Sequence, residues 1–98
     1  MNIQAIMKQA EKLKKDMTKA QEEINNKIYE SKSSFVSVKM TGDKNLKEVK
    51  IDTDSLDKED IEMLEDMILV TVNDVIKQIN KDTEEKLGKY TQGMPGLF

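Results

Sequence analysis

The sequence predicts an α+β fold made of a long helix, a small antiparallel sheet and a second long helix. Three observations predict it. Apolar residues recur at alternating spacings of 3 and 4 from Ile3 to Ile24. The period falls to two between Lys27 and Asp52, around a turn that contains a glycine. Helical spacing then resumes from Ile61 to Ile79, behind a capping signal. A chain of 98 residues has surface for a single modest core, so these elements belong to one domain.

The first helix carries Ile3, Ile6, Ala10, Leu13, Met17, Ala20 and Ile24 as an a/d seam. A seam held this long calls for packing against another helix. Residues 1–41 contain no Gly or Pro, and Asn25-Asn26 weakens the helix before Tyr29. Val36, Val38 and Met40 then alternate with Phe35, Ser37 and Lys39, as in a half-buried strand. Thr41-Gly42-Asp43-Lys44-Asn45 supplies turn chemistry, and Val49 and Ile51 alternate with Glu48, Lys50 and Asp52 in a return strand. Two strands are marginal alone, so a third near Lys27–Lys32 or a covering helix is needed.

Asp57 and Asp60 suit the start of the second helix, with Leu56 and Ile61 at the two positions of a hydrophobic staple. Ile61, Leu64, Ile68, Val72, Val75 and Ile79 line one face, widened by Met67, Val70 and Ile76. Gly88 suits a C-terminal αL position, which sets the helix end near Leu87 and leaves 88–98 as a flexible tail. The domain is thus expected over 1–87. Its helical seam exceeds what short strands can cover, so a homodimer is expected to bury the remainder.

Composition narrows the chemistry. All 16 basic residues are Lys, and Arg, Cys, His and Trp are absent. Zinc fingers, thiol nucleophiles and Ser-His-Asp triads are therefore excluded. No catalytic residue, cofactor, metal site or small-molecule substrate is expected, and the chain does not read as an enzyme. The longest apolar run, Met67 to Val70, is far too short to span a membrane. No secretory signal pattern opens the chain, so a cytoplasmic protein is expected. Net charge is −3, but residues 1–50 hold 11 Lys against 7 acids, and residues 51–98 hold 5 Lys against 12 acids. The basic half could engage an anion.

The candidate binding residues are Lys8, Lys12, Lys15 and Lys19. Their spacing puts them within about 60° of one another on the first helix, almost opposite the apolar seam. Such a row can track the phosphates of duplex DNA; it is also what an ordinary solvated helix face looks like. Glu11 and Glu22 sit beside it. Without Arg, bidentate reading of guanine is missing, which favours backbone contact over base recognition. Two Tyr and two Phe are too few for a single-strand stacking platform. The acidic cluster of Asp52, Asp54, Asp57, Glu59 and Asp60 departs from a calcium loop at its fifth and sixth positions, Leu56 and Asp57. Turn and cap formation explain it better. Glu62 and Asp66 lack any His, Arg or Cys partner and read as a solvated face.

Several strings carry a family resemblance. Met7-Lys8-Gln9-Ala10, Met17 and Gln21-Glu22-Glu23-Ile24 resemble the first helix of the YbaB/EbfC family of nucleoid-associated proteins. Val36-Ser37-Val38, Gly42, Val49-Lys50-Ile51-Asp52 and Glu62-Met63-Leu64-Glu65-Asp66 continue the likeness. Asn73-Asp74 and the closing Thr91-Gln92-Gly93-Met94-Pro95-Gly96-Leu97-Phe98 complete it over essentially the whole chain. The resemblance implies a homodimer of α-β-β-β-α subunits, with a three-stranded sheet and helices projecting from a shared β-centre like tweezers. It further implies a bacterial, cytoplasmic, nucleoid-located protein that binds double-stranded DNA and affects DNA architecture and gene expression without catalysis. Family members often carry a Gly-rich run before the strand that begins at Phe35. This chain has Glu30-Ser31-Lys32-Ser33-Ser34 instead. An alternative reading is a dimeric module whose helical surface or tail engages another protein, its DNA affinity incidental to charge. Salt-dependent duplex binding would separate the two.

Overall fold

The computed structural model describes residues 2–91. Its order is α1 (Ile3–Asn26), β1 (Ile28–Ser33), β2 (Val36–Thr41), β3 (Leu46–Ile51) and α2 (Ile61–Thr91), with a single 3₁₀ turn at Lys58–Asp60 leading into α2. This is the predicted α-β-β-β-α arrangement. The molecule is a rod, 71 × 21 × 14 Å along its principal axes.

The Asn2 side chain caps α1, accepting from the amides of Gln4 at 3.1 Å and Ala5 at 3.4 Å. The helix ends at Asn26, where the asparagine pair predicts, and the Lys27 amide turns back to the Ile24 carbonyl at 3.1 Å. β1 and β2 form a two-residue hairpin with Ser33 opposite Val36. Ser34 makes that turn at φ 52, in the left-handed region that glycine adopts without strain. β1 exists because β2 pairs with its backbone along its full length; its side chains, with only Tyr29 buried, barely signal it. The turn after β2 places Lys44 at φ 65 and folds Gly42 against α1. A Cβ on Gly42 would lie 1.8 Å from the Ile24 carbonyl oxygen, so glycine is required by close approach.

The sheet order is β1-β2-β3, all antiparallel. α2 lies across β1 and β2 and makes no comparable packing on β3. Thr71, Val75 and Ile79 form its buried line over Tyr29, Val36, Val38 and Met40. The Thr71 hydroxyl, buried in this core, donates to the Met67 carbonyl and so leaves no polar atom unpaired.

Three expectations are corrected. α2 does not stop at Leu87 but continues through Gly88 to Thr91, so residues 88–91 are helix. Leu87 and Tyr90 are partly buried there, and that packing outweighs the modest helix penalty of one glycine. The remainder of the expected tail, 92–98, lies outside the described residues. The alternating residues of the return strand are not buried: every residue of β3 is exposed, because α2 is aligned over the other two strands. Leu56 and Ile61 are also exposed, at 39% and 49%, so the staple pair is not packed away. Asp60 nonetheless reaches back to accept from the Asp57 amide at 3.1 Å, as the capping signal predicts.

Candidate nucleic-acid interface

The lysine row sits on α1, and the seam behind it determines which way it points. Ile24 is fully buried, and Leu13, Met17 and Ala20 are half-buried, because α2 packs alongside this end of α1. Packing on that side turns Lys8, Lys12, Lys15 and Lys19 outward, and all four are exposed. Among the described residues none of them makes an ion pair or hydrogen bond. They form a single line of ammonium groups, with Glu11 and Glu22 along one flank. The seam-to-row geometry is therefore as the spacing predicts. A line of this kind presents point charges to an extended anion.

Other charged surfaces are less suited to an anion. On the open face of the sheet, Lys32, Lys39 and Lys50 share a shallow hollow with Glu30, Glu48 and Asp52, three charges of each sign. Lys39 and Glu48 approach to 3.7 Å across β2 and β3. At the start of α2, Glu59, Glu62 and Asp66 line a hollow with Met63, Met67 and Val70, an acidic surface that repels phosphate.

A cluster that sequence reasoning missed fixes how the helices leave the sheet. Asp82 on α2 accepts from the Tyr29 hydroxyl on β1, from Lys27 at 3.3 Å and from Lys86 at 3.1 Å. The tyrosine hydrogen bond, helped by Lys86 and Lys27, lowers the Asp82 carboxyl to about 2 despite partial desolvation. Burial, reinforced by the Asp82 hydrogen bond and charge, pushes the Tyr29 hydroxyl up. Lys27 also stands 4.9 Å over the Tyr29 ring, a cation–π contact. On the same flank, Gln78, one turn earlier, donates to the Glu30 carbonyl at 3.2 Å, and Asp74, two turns earlier, accepts from Ser31 at 2.7 Å. The Ser31 hydrogen bond, then that of Gln78, lowers the Asp74 carboxyl. No periodicity could have pointed to Tyr29 and Asp82, which are 53 residues apart.

Comparison with known proteins bears on what this arrangement is for. Residues 1–94 match the model of the YbaB/EbfC DNA-binding family. The chain belongs to that family. A nucleoid-associated protein of Enterococcus faecalis is 46% identical over 98 residues, covering 98% of this chain and 94% of that one. A nucleoid-associated protein of Lactococcus lactis subsp. cremoris is 50% identical over 97 residues, covering 97% and 98%. The crystal structure of an uncharacterized Helicobacter pylori protein has the same fold, at TM-score 0.70 and 23% identity over 91% of this chain and 96% of that one. The family is one of DNA-binding proteins rather than enzymes. Among the described residues no helix is long and apolar enough to cross a membrane.

Proposed function

We propose that this chain works as a homodimer that binds double-stranded DNA, chiefly through phosphates, and alters DNA conformation in the bacterial nucleoid, with effects on nucleoid organisation and gene expression. The observation that carries the reading is the match of residues 1–94 to a DNA-binding family. The unpaired row of Lys8, Lys12, Lys15 and Lys19 on the outer side of α1 supports phosphate contact, and the absence of Arg argues against strict base reading. Nucleoid-associated relatives support a nucleoid location in the cytoplasm.

Support for the dimer comes from the sheet. Val36, Val38 and Met40 are buried, yet their cross-strand neighbours Ile51, Val49 and Leu46 are 41%, 42% and 43% exposed. Directly opposed residues share one face of a sheet, so the core face continues uncovered onto β3. Leu69, on the flank of α2 that faces away from the β1-bonded Asp74 and Gln78, is 62% exposed beside it. An apolar face of this kind on an edge strand is stabilised by a second copy. In this reading the sheet joins the subunits and the α1 rows meet the DNA.

Titration of duplex DNA at several salt concentrations tests the proposal, comparing the unmodified chain with the quadruple Lys→Gln variant at positions 8, 12, 15 and 19. Log affinity should fall with log salt at about −0.9 per phosphate neutralised, and the variant should lose several units of that slope on two unrelated sequences alike. Unchanged affinity and slope in a folded variant would remove the row from the interface. Sedimentation tests the dimer: a monomer at micromolar concentration would refute it, and Val49→Lys should dissociate a dimer that forms through β3.

A further inference from the structure

The connection between β2 and β3 is strained where it carries positive charge. The Thr41 amide donates to the Asn45 carbonyl at 3.0 Å, and the Lys44 amide donates to the Thr41 carbonyl at 2.8 Å. These bonds define a three-residue loop, Gly42-Asp43-Lys44, whose last position takes the left-handed conformation. Lys44 fills it at φ 65, where glycine is the residue free of strain. Nothing inside the chain offsets that strain: among the described residues the Lys44 side chain is exposed and makes no ion pair or hydrogen bond. A second irregularity displays Lys47. Leu46 faces Met40 and Glu48 faces Lys39, so Lys47 is an extra residue of β3 without a partner on β2. In an unbroken ladder Lys47 would face Met40 on the core side of the sheet. The bulge gives that place to Leu46 and releases Lys47, which is exposed and without an ion pair among the described residues.

The other lysines of the sheet and of its junction with α1 have acidic company. Lys39 pairs with Glu48, Lys27 pairs with Asp82, and Lys32 and Lys50 share the hollow that holds both signs of charge. Asp43, inside the loop, is held by the Thr41 hydroxyl. The loop itself is fixed in place. Gly42 lies against the Ile24 carbonyl and donates to the Lys27 carbonyl at 3.0 Å, which ties the tip to the end of α1. A tip set before binding loses little freedom when it meets a ligand. No lysine follows Lys19 on α1, and Ile24 stands about 7.5 Å along the axis beyond it, so unpaired positive charge resumes at the loop. Strained residues cluster at binding sites, and bulges re-aim side chains beside them. We propose that the β2–β3 loop is a second phosphate contact, where Lys44 and Lys47 meet the nucleic-acid backbone apart from the row on α1. This contact presupposes that the chain binds DNA, and it adds a point that the periodicity of α1 does not contain.

Two measurements on the full chain test it. Lys44→Gln with Lys47→Gln removes both charges and keeps side chains of similar length. In salt titrations on duplex DNA, the log–log slope should fall by about 0.9 for each lysine that meets a phosphate, and affinity at about 0.1 M salt should drop about tenfold or more. Unchanged slope and affinity in a folded variant would overturn the loop contact and leave DNA binding standing. An unmodified chain that does not bind the duplex would overturn both. Lys44→Gly then separates binding from folding. Glycine relieves the left-handed residue, so the thermal midpoint should rise by a few degrees while affinity for the duplex falls. A more stable variant with unchanged affinity would overturn the proposal, because the lysine would then be only a tolerated turn residue. So would a less stable variant, because the lysine would then serve the fold.

Discussion

Replacing Asp82 with Asn keeps the shape of the side chain and deletes its charge. In the folded chain Asp82 stays ionised down to about pH 2, whereas an unfolded chain takes up that proton near 3.8. A difference of that size corresponds to about 2.4 kcal/mol at 1.36 kcal/mol per unit. The carboxylate is 18% exposed, and its partners Lys27 and Lys86 are 50% and 43% exposed, so solvent screening reduces the contribution to roughly 1–2 kcal/mol. Because the folded value is the lower one, the stabilisation is complete above about pH 5 and is lost as pH falls from about 4 through 2. Tyr29, raised further above neutrality, is protonated throughout that window and contributes no slope there. Urea unfolding followed by circular dichroism, at one fixed protein concentration, checks this at pH 7, 5, 3 and 2. Asp82→Asn should cost roughly 1–2 kcal/mol at pH 7 and close to nothing at pH 2. An equal loss at both pH values would refute the electrostatic account and leave only a packing defect.

Other substitutions test the remaining geometry. Gly42→Ala puts a methyl into the Ile24 carbonyl and should cost about 3 kcal/mol, read from the urea midpoint; a neutral result would mean that α1 does not approach the turn this closely. Gly88→Ala, where a Cβ meets nothing within 4 Å, should raise stability by about 0.5–1 kcal/mol if α2 is helical at that point, and a loss would return the helix end to Leu87. Ser34→Gly relieves a left-handed residue in the β1–β2 hairpin and should raise the thermal midpoint by a few degrees, without altering the far-ultraviolet spectrum.

Local physics made most of the elements legible. The 3-and-4 spacing of Ile3 to Ile24 is a helix whatever it packs against, and Asn25-Asn26 ends it because side-chain amides compete with the backbone. Val36, Val38 and Met40 alternate because one face of β2 is the core. The lysine row was also readable, since seam and row are tied by one helical period. β1 was faint because its residues are mostly polar or small and its stability comes from backbone pairing with β2, which leaves little trace in side-chain pattern.

What the sequence by itself determined, then, is the two helices, the β2–β3 hairpin with its Thr41–Asn45 turn, their order and the side of α1 on which the lysines lie. Each follows from interactions within a few residues, where spacing is the geometry. Only the tertiary structure decided that α2 covers β1 and β2 but not β3, leaving Leu46, Val49 and Ile51 bare, and that Tyr29, Lys27 and Asp82 meet. It also decided that Gly88 is carried inside a helix. These outcomes depend on where one rigid element comes to rest on another. That position is set by the packing of many side chains at once, and no single stretch of sequence encodes it.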